Sequence, residues 1–107
     1  MIYYVAHAYS SDKHNICNAK KTLTELQEKD LSNCYICPIV SIPIFENADI
    51  KNEDKYELCF DLMTACDAVV IGSYISKDVK KEIEFARLIK MEVFSIDENG
   101  ELQPFTE

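Results

Sequence analysis

A glutamate on the wrong side of a helix is the first sign of chemistry in this 107-residue chain. The segment ISKDVKKEIEFARLIK, Ile75 to Lys90, places Val79, Ile83, Ala86 and Ile89 at helical spacing. At 100° per residue Glu82 falls inside that apolar stripe, while Lys80, Lys81, Glu84 and Arg87 occupy the other side. A carboxylate on a buried face costs free energy unless it is satisfied or used. One reading makes Glu82 a nucleophile or an acid/base group, its pKa raised by burial and lowered by a helix amino end and a donating hydroxyl. Tyr4 and Tyr9 are candidate donors. The other reading is a Glu whose stem packs on the core while its head reaches water.

Other residues offer weaker signals. Asp61 shares the polar side of its helix with Asp54, Glu57 and Thr64, which predicts a solvated surface. His7 sits just past the first strand, where a hydrogen-bonded rim residue is the ordinary expectation. The run Tyr9-Ser10-Ser11-Asp12 at a helix start suits either a phosphate or sugar hydroxyl, or a plain N-cap. Cys34 and Cys37 form a CxxC, but there is no second CxxC and no nearby His pair to complete a metal site. The five cysteines therefore predict reduced thiols in a cytoplasmic protein. No GxGxxG, no GxxxxGK with Ser or Thr, and no GxSxG elbow occurs.

These residues must be positioned by an alternating pattern of strands and helices. Ile2 to Ala6 predicts a buried strand, and Lys13 to Lys29 a helix with Ile16, Ala19, Leu23 and Leu26 on one face. Cys34 to Ile39 predicts a second short strand closed by Pro38, and Val40 to Asn52 a long loop. Glu53 to Ala65 predicts a helix with Cys59, Leu62, Met63 and Cys66 inward, and Ala68 to Gly72 a third strand. The Glu82 helix precedes a fourth strand near Val93 to Ile96; Asn99-Gly100 marks a turn, and Leu102 to Phe105 suits a short edge strand. This alternation predicts one α/β domain over residues 1–107: a three-layer, flavodoxin- or Rossmann-like parallel sheet of four to five strands, with helices on both faces. In such folds the ligand crevice lies beyond the carboxyl ends of the strands. That rule gathers His7, Tyr9, Ser10, the Pro38 to Asn52 loop, the Gly72 to Asp78 segment and Glu82 at one rim. Asp67 precedes its strand and belongs at the opposite end, in a structural role.

The chain carries 48% hydrophobic and 28% charged residues, an ordinary globular composition. Its net charge of −8, without a basic stripe, argues against binding a nucleic-acid polymer. No apolar run reaches the roughly 18 residues of a membrane span, and the start IYYVAHAY predicts no secretory signal.

The order YVAHAYS, FDLMTACDAVVI, ISKDVKKEIEFA resembles the nucleoside 2-deoxyribosyltransferase superfamily, and most closely a compact bacterial and phage branch of it. That branch has patterns like YxAxPY, CDxxxx and SxGxxxEIxxA, and the resemblance covers most of the chain. It implies a nucleophilic Glu at Glu82, a hydroxyl partner at Tyr4 and a substrate-binding Asp at Asp61. His7, Tyr9, Ser10, Ser76 and Asp78 would border the substrate. The acidic residue that assists the base in the transferases falls at Ser76; Asp78 stands where Gly is usual, and Ala8 where Pro is. The resemblance implies transfer or hydrolysis of an N-glycosidic bond in a small nucleoside or nucleotide, without metal or organic cofactor, by a homo-oligomer. The alternative on the same fold is a non-catalytic binder of a nucleotide or ribose-containing signal, which the changes at Ser76 and Asp78 favour.

Overall fold

The computed structural model describes residues 1–7, 13–42, 45, 49–72 and 75–106, and within them the eight predicted elements are joined by one short helix that the pattern does not predict. In chain order the elements are β1 (Ile2–Ala6), α1 (Lys13–Lys29), β2 (Cys34–Ile36), α2 (Pro38–Ser41), α3 (Asn52–Thr64), β3 (Ala68–Ile71), α4 (Lys77–Leu88), β4 (Glu92–Ile96) and β5 (Leu102–Pro104). The sheet order is β2-β1-β3-β4-β5. The first four strands are parallel, and β5 pairs antiparallel with β4. This is the expected α/β sheet, with β1 and β3 at its centre. Right-handed crossovers put α1 on one face and α3 and α4 on the other, because the chain moves outward from β1 to β2 and then back across the sheet.

The centre is apolar on both faces. All four residues of β3 are buried, as parallel strands covered on both sides require. Tyr4 is paired between Ile36 of β2 and Val69 of β3, and Val5 pairs with Val70. Alternation sends Tyr3 to the α1 face, where its ring stacks on Tyr35 at 5.0 Å and meets Phe94 edge-on at 6.1 Å. It sends Tyr4 to the α3/α4 face. Asp67 holds the amino end of the sheet: its Oδ2 accepts from the Ile2 amide at 2.7 Å, and its own amide donates to the Ile2 carbonyl at 2.8 Å.

Two boundaries differ from the sequence pattern. The second strand stops at Ile36, and Pro38 opens α2 rather than closing a strand. Pro suits the first helical turn because its missing N–H would have no partner there. The expected loop from Val40 therefore begins inside a one-turn helix. The β4–β5 turn is organised by Asp97, whose carboxylate accepts from the Asn99 and Glu101 amides at 2.9 Å each. Gly100 in that turn has φ +80°, and a Cβ there would run into the Lys29 ammonium. Lys29 in turn donates to the Asn99 carbonyl at 2.6 Å, tying α1 to the hairpin. Among the described residues no helix is long and apolar enough to cross a membrane.

Because β3 has no exposed face to relax into, Ile71→Ala, at a fully buried position, is expected to cost about 2–5 kcal/mol. Urea unfolding should show a lower midpoint with an unchanged slope.

Candidate functional site

Glu82 is 0% exposed. The rotation of α4 that buries it is set by two neighbouring stripes. Val79, Ile83 and Ala86 face the sheet and are buried. Asp78, Lys81 and Phe85 face α3: Phe85 stacks on Phe60 with centroids 4.2 Å apart and planes 8° from parallel, and Lys81 lies 5.1 Å from the centre of the Tyr56 ring. Tyr56 donates its hydroxyl to Asp78 Oδ1 at 2.9 Å, fastening α3 to the first turn of α4. Glu82 lies between the stripes and has no route to water. The snorkelling alternative is thereby excluded.

The polar neighbour beneath Glu82 is Tyr4, also 0% exposed. The two side chains polarise one another: the phenol draws the Glu82 carboxyl down, and the carboxylate pushes the Tyr4 hydroxyl up. Their contact nevertheless falls short of ordinary hydrogen-bond geometry. Tyr4 Oη and both Glu82 carboxyl oxygens are buried without a hydrogen-bond partner. Burial is the largest influence on Glu82 and raises its pKa well above the usual 4.5; Tyr4 opposes this, and the Asp78 charge adds to it. The Tyr4 hydroxyl is raised well above its usual 10.0, by burial first and then by Glu82 and the Cys59 thiol on α3. On the β2 side, burial pushes the Cys37 thiol up to about 12, with Glu82 contributing. The site is thus a carboxyl, a phenol and the Cys37 thiol, each with its pKa raised by burial, with the Cys59 thiol beside Tyr4.

The remaining expected residues divide. Ser76 is the N-cap of α4, its Oγ accepting from the Val79 amide at 3.2 Å. Asp78 is half-buried and engaged by Tyr56, which burial and that bond together raise to about 12. His7 is half-buried at the end of β1. Tyr9 and Ser10 lie outside the described residues. Asp61 is exposed on the outer side of α3, as its helix position predicts, and is not among the groups that influence Glu82. Its placement lends no support to the substrate role carried by the resemblance. The CxxC thiols occupy unlike environments, Cys34 exposed and Cys37 buried.

Two contributors escaped the sequence reading. Tyr56 reaches Asp78 across the α3–α4 interface, a contact that no single-helix periodicity announces. Lys55 is 2% exposed and is, with Glu82, one of two charged side chains buried among the described residues. Its signal was present: Lys55, Cys59 and Met63 share a stripe at i, i+4 and i+8.

No protein-family model, curated protein or solved structure matches this chain.

The buried carboxyl has a signature in stability. With its folded pKa raised, Glu82 keeps a proton that the unfolded chain releases above the usual 4.5. The folded state then binds more protons than the unfolded one, so stability falls as pH rises, by about 1.4 kcal/mol per pH unit until the folded pKa is reached. Glu82→Gln removes this loss. The stability difference between Glu82→Gln and wild type, measured by urea unfolding, should grow from pH 5 to pH 8 in favour of the variant.

Proposed function

We propose that the chain acts on N-glycosidic bonds of small nucleosides or nucleotides, with Glu82 as the nucleophile. The observation that carries this reading is the enclosed Glu82–Tyr4 pair at the crevice end of the α3/α4 face. A core needs no carboxyl there, and an amide or an aliphatic side chain would cost less.

In the proposed reaction a Glu82 carboxylate oxygen attacks C1′ of a 2-deoxyribosyl group through an oxocarbenium-like transition state. The C1′–N bond breaks, its electron pair leaves with the base, and the departing nitrogen takes a proton from water, which the incoming base or water restores when it attacks C1′ and loses its own. The ester so formed is resolved by a second base or by water, which takes C1′ and returns the carboxylate. Tyr4 orients Glu82 by donating to the carboxylate oxygen that does not attack. Asp78 and Ser76 border the entry by their position at the start of α4.

This chemistry requires Glu82 to ionise. Burial raises its pKa in the enclosed state, so ionisation is favoured by ligand entry, when sugar hydroxyls and the Tyr4 phenol come within hydrogen-bond reach of the carboxylate. A second reading, a non-catalytic binder of a nucleotide or ribose-containing signal, is favoured by one observation: Ser76 and Asp78 are committed to a cap and to Tyr56 rather than to a proton relay.

Incubation with 2-deoxynucleosides and their 5′-monophosphates, with and without a free acceptor base, separates these readings. Transfer or hydrolysis is expected, abolished by Glu82→Ala with the fold retained. Ligand-induced thermal stabilisation without any released base would establish the binder. Tyr4→Phe is expected to slow base release roughly 10- to 100-fold, the value of a hydrogen bond to a charged group. Because the active form is the carboxylate and its pKa is raised, the acid limb of the kcat/KM profile should lie above the ordinary carboxyl range. A limb near 4.5 would contradict the role given to Glu82.

A further inference from the structure

Glu82 has a counterpart of opposite sign that the proposed chemistry does not use. The Lys55 ammonium is buried on the inward stripe of α3, one turn from Cys59. Its Nζ donates a single long hydrogen bond, 3.4 Å, to the Phe45 carbonyl. It also lies 6.0 Å from the centre of the buried Phe45 ring, at the outer limit of a cation–π contact. An ammonium has three donors, so most of its capacity is unused. It has no carboxylate partner among the described residues. Removing an ammonium from water costs several kcal/mol unless a counter-charge meets it. A chain with nineteen acidic residues had ample means to supply one.

Its position indicates what the counter-charge is. β2, β1 and β3 run parallel, so α3, which connects β2 to β3, starts at the carboxyl end of the sheet, as α4 does. Lys55 lies near the amino end of α3, where the helix dipole is positive. The N-cap there, Lys51, is a second cation four residues away and makes no side-chain cap. Glu53 and Asp54, the acidic residues of that turn, are exposed. The Lys55 charge is not among the influences on Glu82, which are burial, Tyr4 and Asp78. Glu82 and Lys55 therefore do not form an ion pair.

We propose that Lys55 is an anion-binding residue whose counter-ion is the phosphate of a phosphate monoester entering the crevice at the carboxyl end of the sheet. A compact ammonium with three rotatable donors suits a tetrahedral phosphate as a point charge. Joined to the glycosyl reading, this makes the preferred ligand a nucleoside 5′-monophosphate, with its phosphate at Lys55 and its sugar toward Glu82. The anion site itself rests on Lys55 and not on that reading.

The test is thermal unfolding of the full chain at constant ionic strength with inorganic phosphate, a 2-deoxynucleoside 5′-monophosphate or the matching nucleoside, against chloride. Phosphate and the monophosphate are expected to raise Tm in wild type and in Glu82→Gln. In Lys55→Met the half-saturating concentration should rise at least tenfold, while Tm without phosphate is equal or higher because an unpaired ammonium has been removed. An unchanged phosphate response in Lys55→Met, or no response in wild type, overturns the proposal. Should Lys55→Met fold poorly, acetylation of wild-type lysines read by mass spectrometry serves instead. Phosphate must then slow modification of Lys55 more than that of Lys20 or Lys80, and equal rates overturn the proposal. Base release together with an unchanged Lys55→Met phosphate response removes this inference and leaves the glycosyl reading. A Lys55-dependent phosphate response without base release does the reverse.

Discussion

A carboxyl group enclosed without a hydrogen-bond partner is the constraint around which the α3/α4 face is arranged. Glu82 could escape to water only if α4 rotated. That rotation is blocked on one side by Val79, Ile83 and Ala86 against the sheet and on the other by Phe85 stacked on Phe60. The Tyr56–Asp78 hydrogen bond fixes the entry of α4 at the same time. Each of these contacts would be lost, or exchanged for a poorer one, by a turn large enough to hydrate Glu82. The apolar packing of two helices thus holds a polar group where its own solvation opposes it. Such tension between local preference and global fold is what functional sites show.

The interior electrostatics follow the same logic. Exposed acids give the chain its charge of −8, yet the charged residue types buried among the described residues are one acid and one base, on neighbouring helices of one face. If they served stability they would pair, because a buried ion needs a nearby counter-charge. They do not: Glu82 is influenced by Tyr4 and Asp78, and Lys55 by a carbonyl and a ring. An acid and a base buried on neighbouring helices without meeting one another are not a stabilising ion pair.

How much of this was legible depended on whether the cause was local. The parallel sheet was legible because its strands are continuous apolar runs separated by periodic helices, and Glu82 because it breaks one such period. Asp61 was legible as a surface residue from its helical position. The short helix at Pro38 was not: a proline after an apolar run reads equally as a strand terminator or a first helical residue, and only the backbone geometry after Cys37 decides. The Tyr56–Asp78 bond was invisible because it joins two helices 22 residues apart in sequence. Lys55 was legible by the rule that exposed Glu82, but a long lysine stem normally carries its charge to water. Here the Phe45 carbonyl and ring meet that charge instead, a contact between residues ten apart that no helical period announces.

The thiols give the site its last property. Cys59 and Cys37 border Tyr4 and Glu82 where hydroxyls or amides would have supplied strong donors. A thiol donates weakly, so it fills space without stabilising a carboxylate. The chain keeps sulfur at both places, and burial remains the largest influence on Glu82, raising its pKa. A carboxyl so held is unreactive until something polar displaces the apolar contact around it. Under the glycosyl reading, the hydroxyls of the sugar are that agent, and the nucleophile is created by the substrate it attacks.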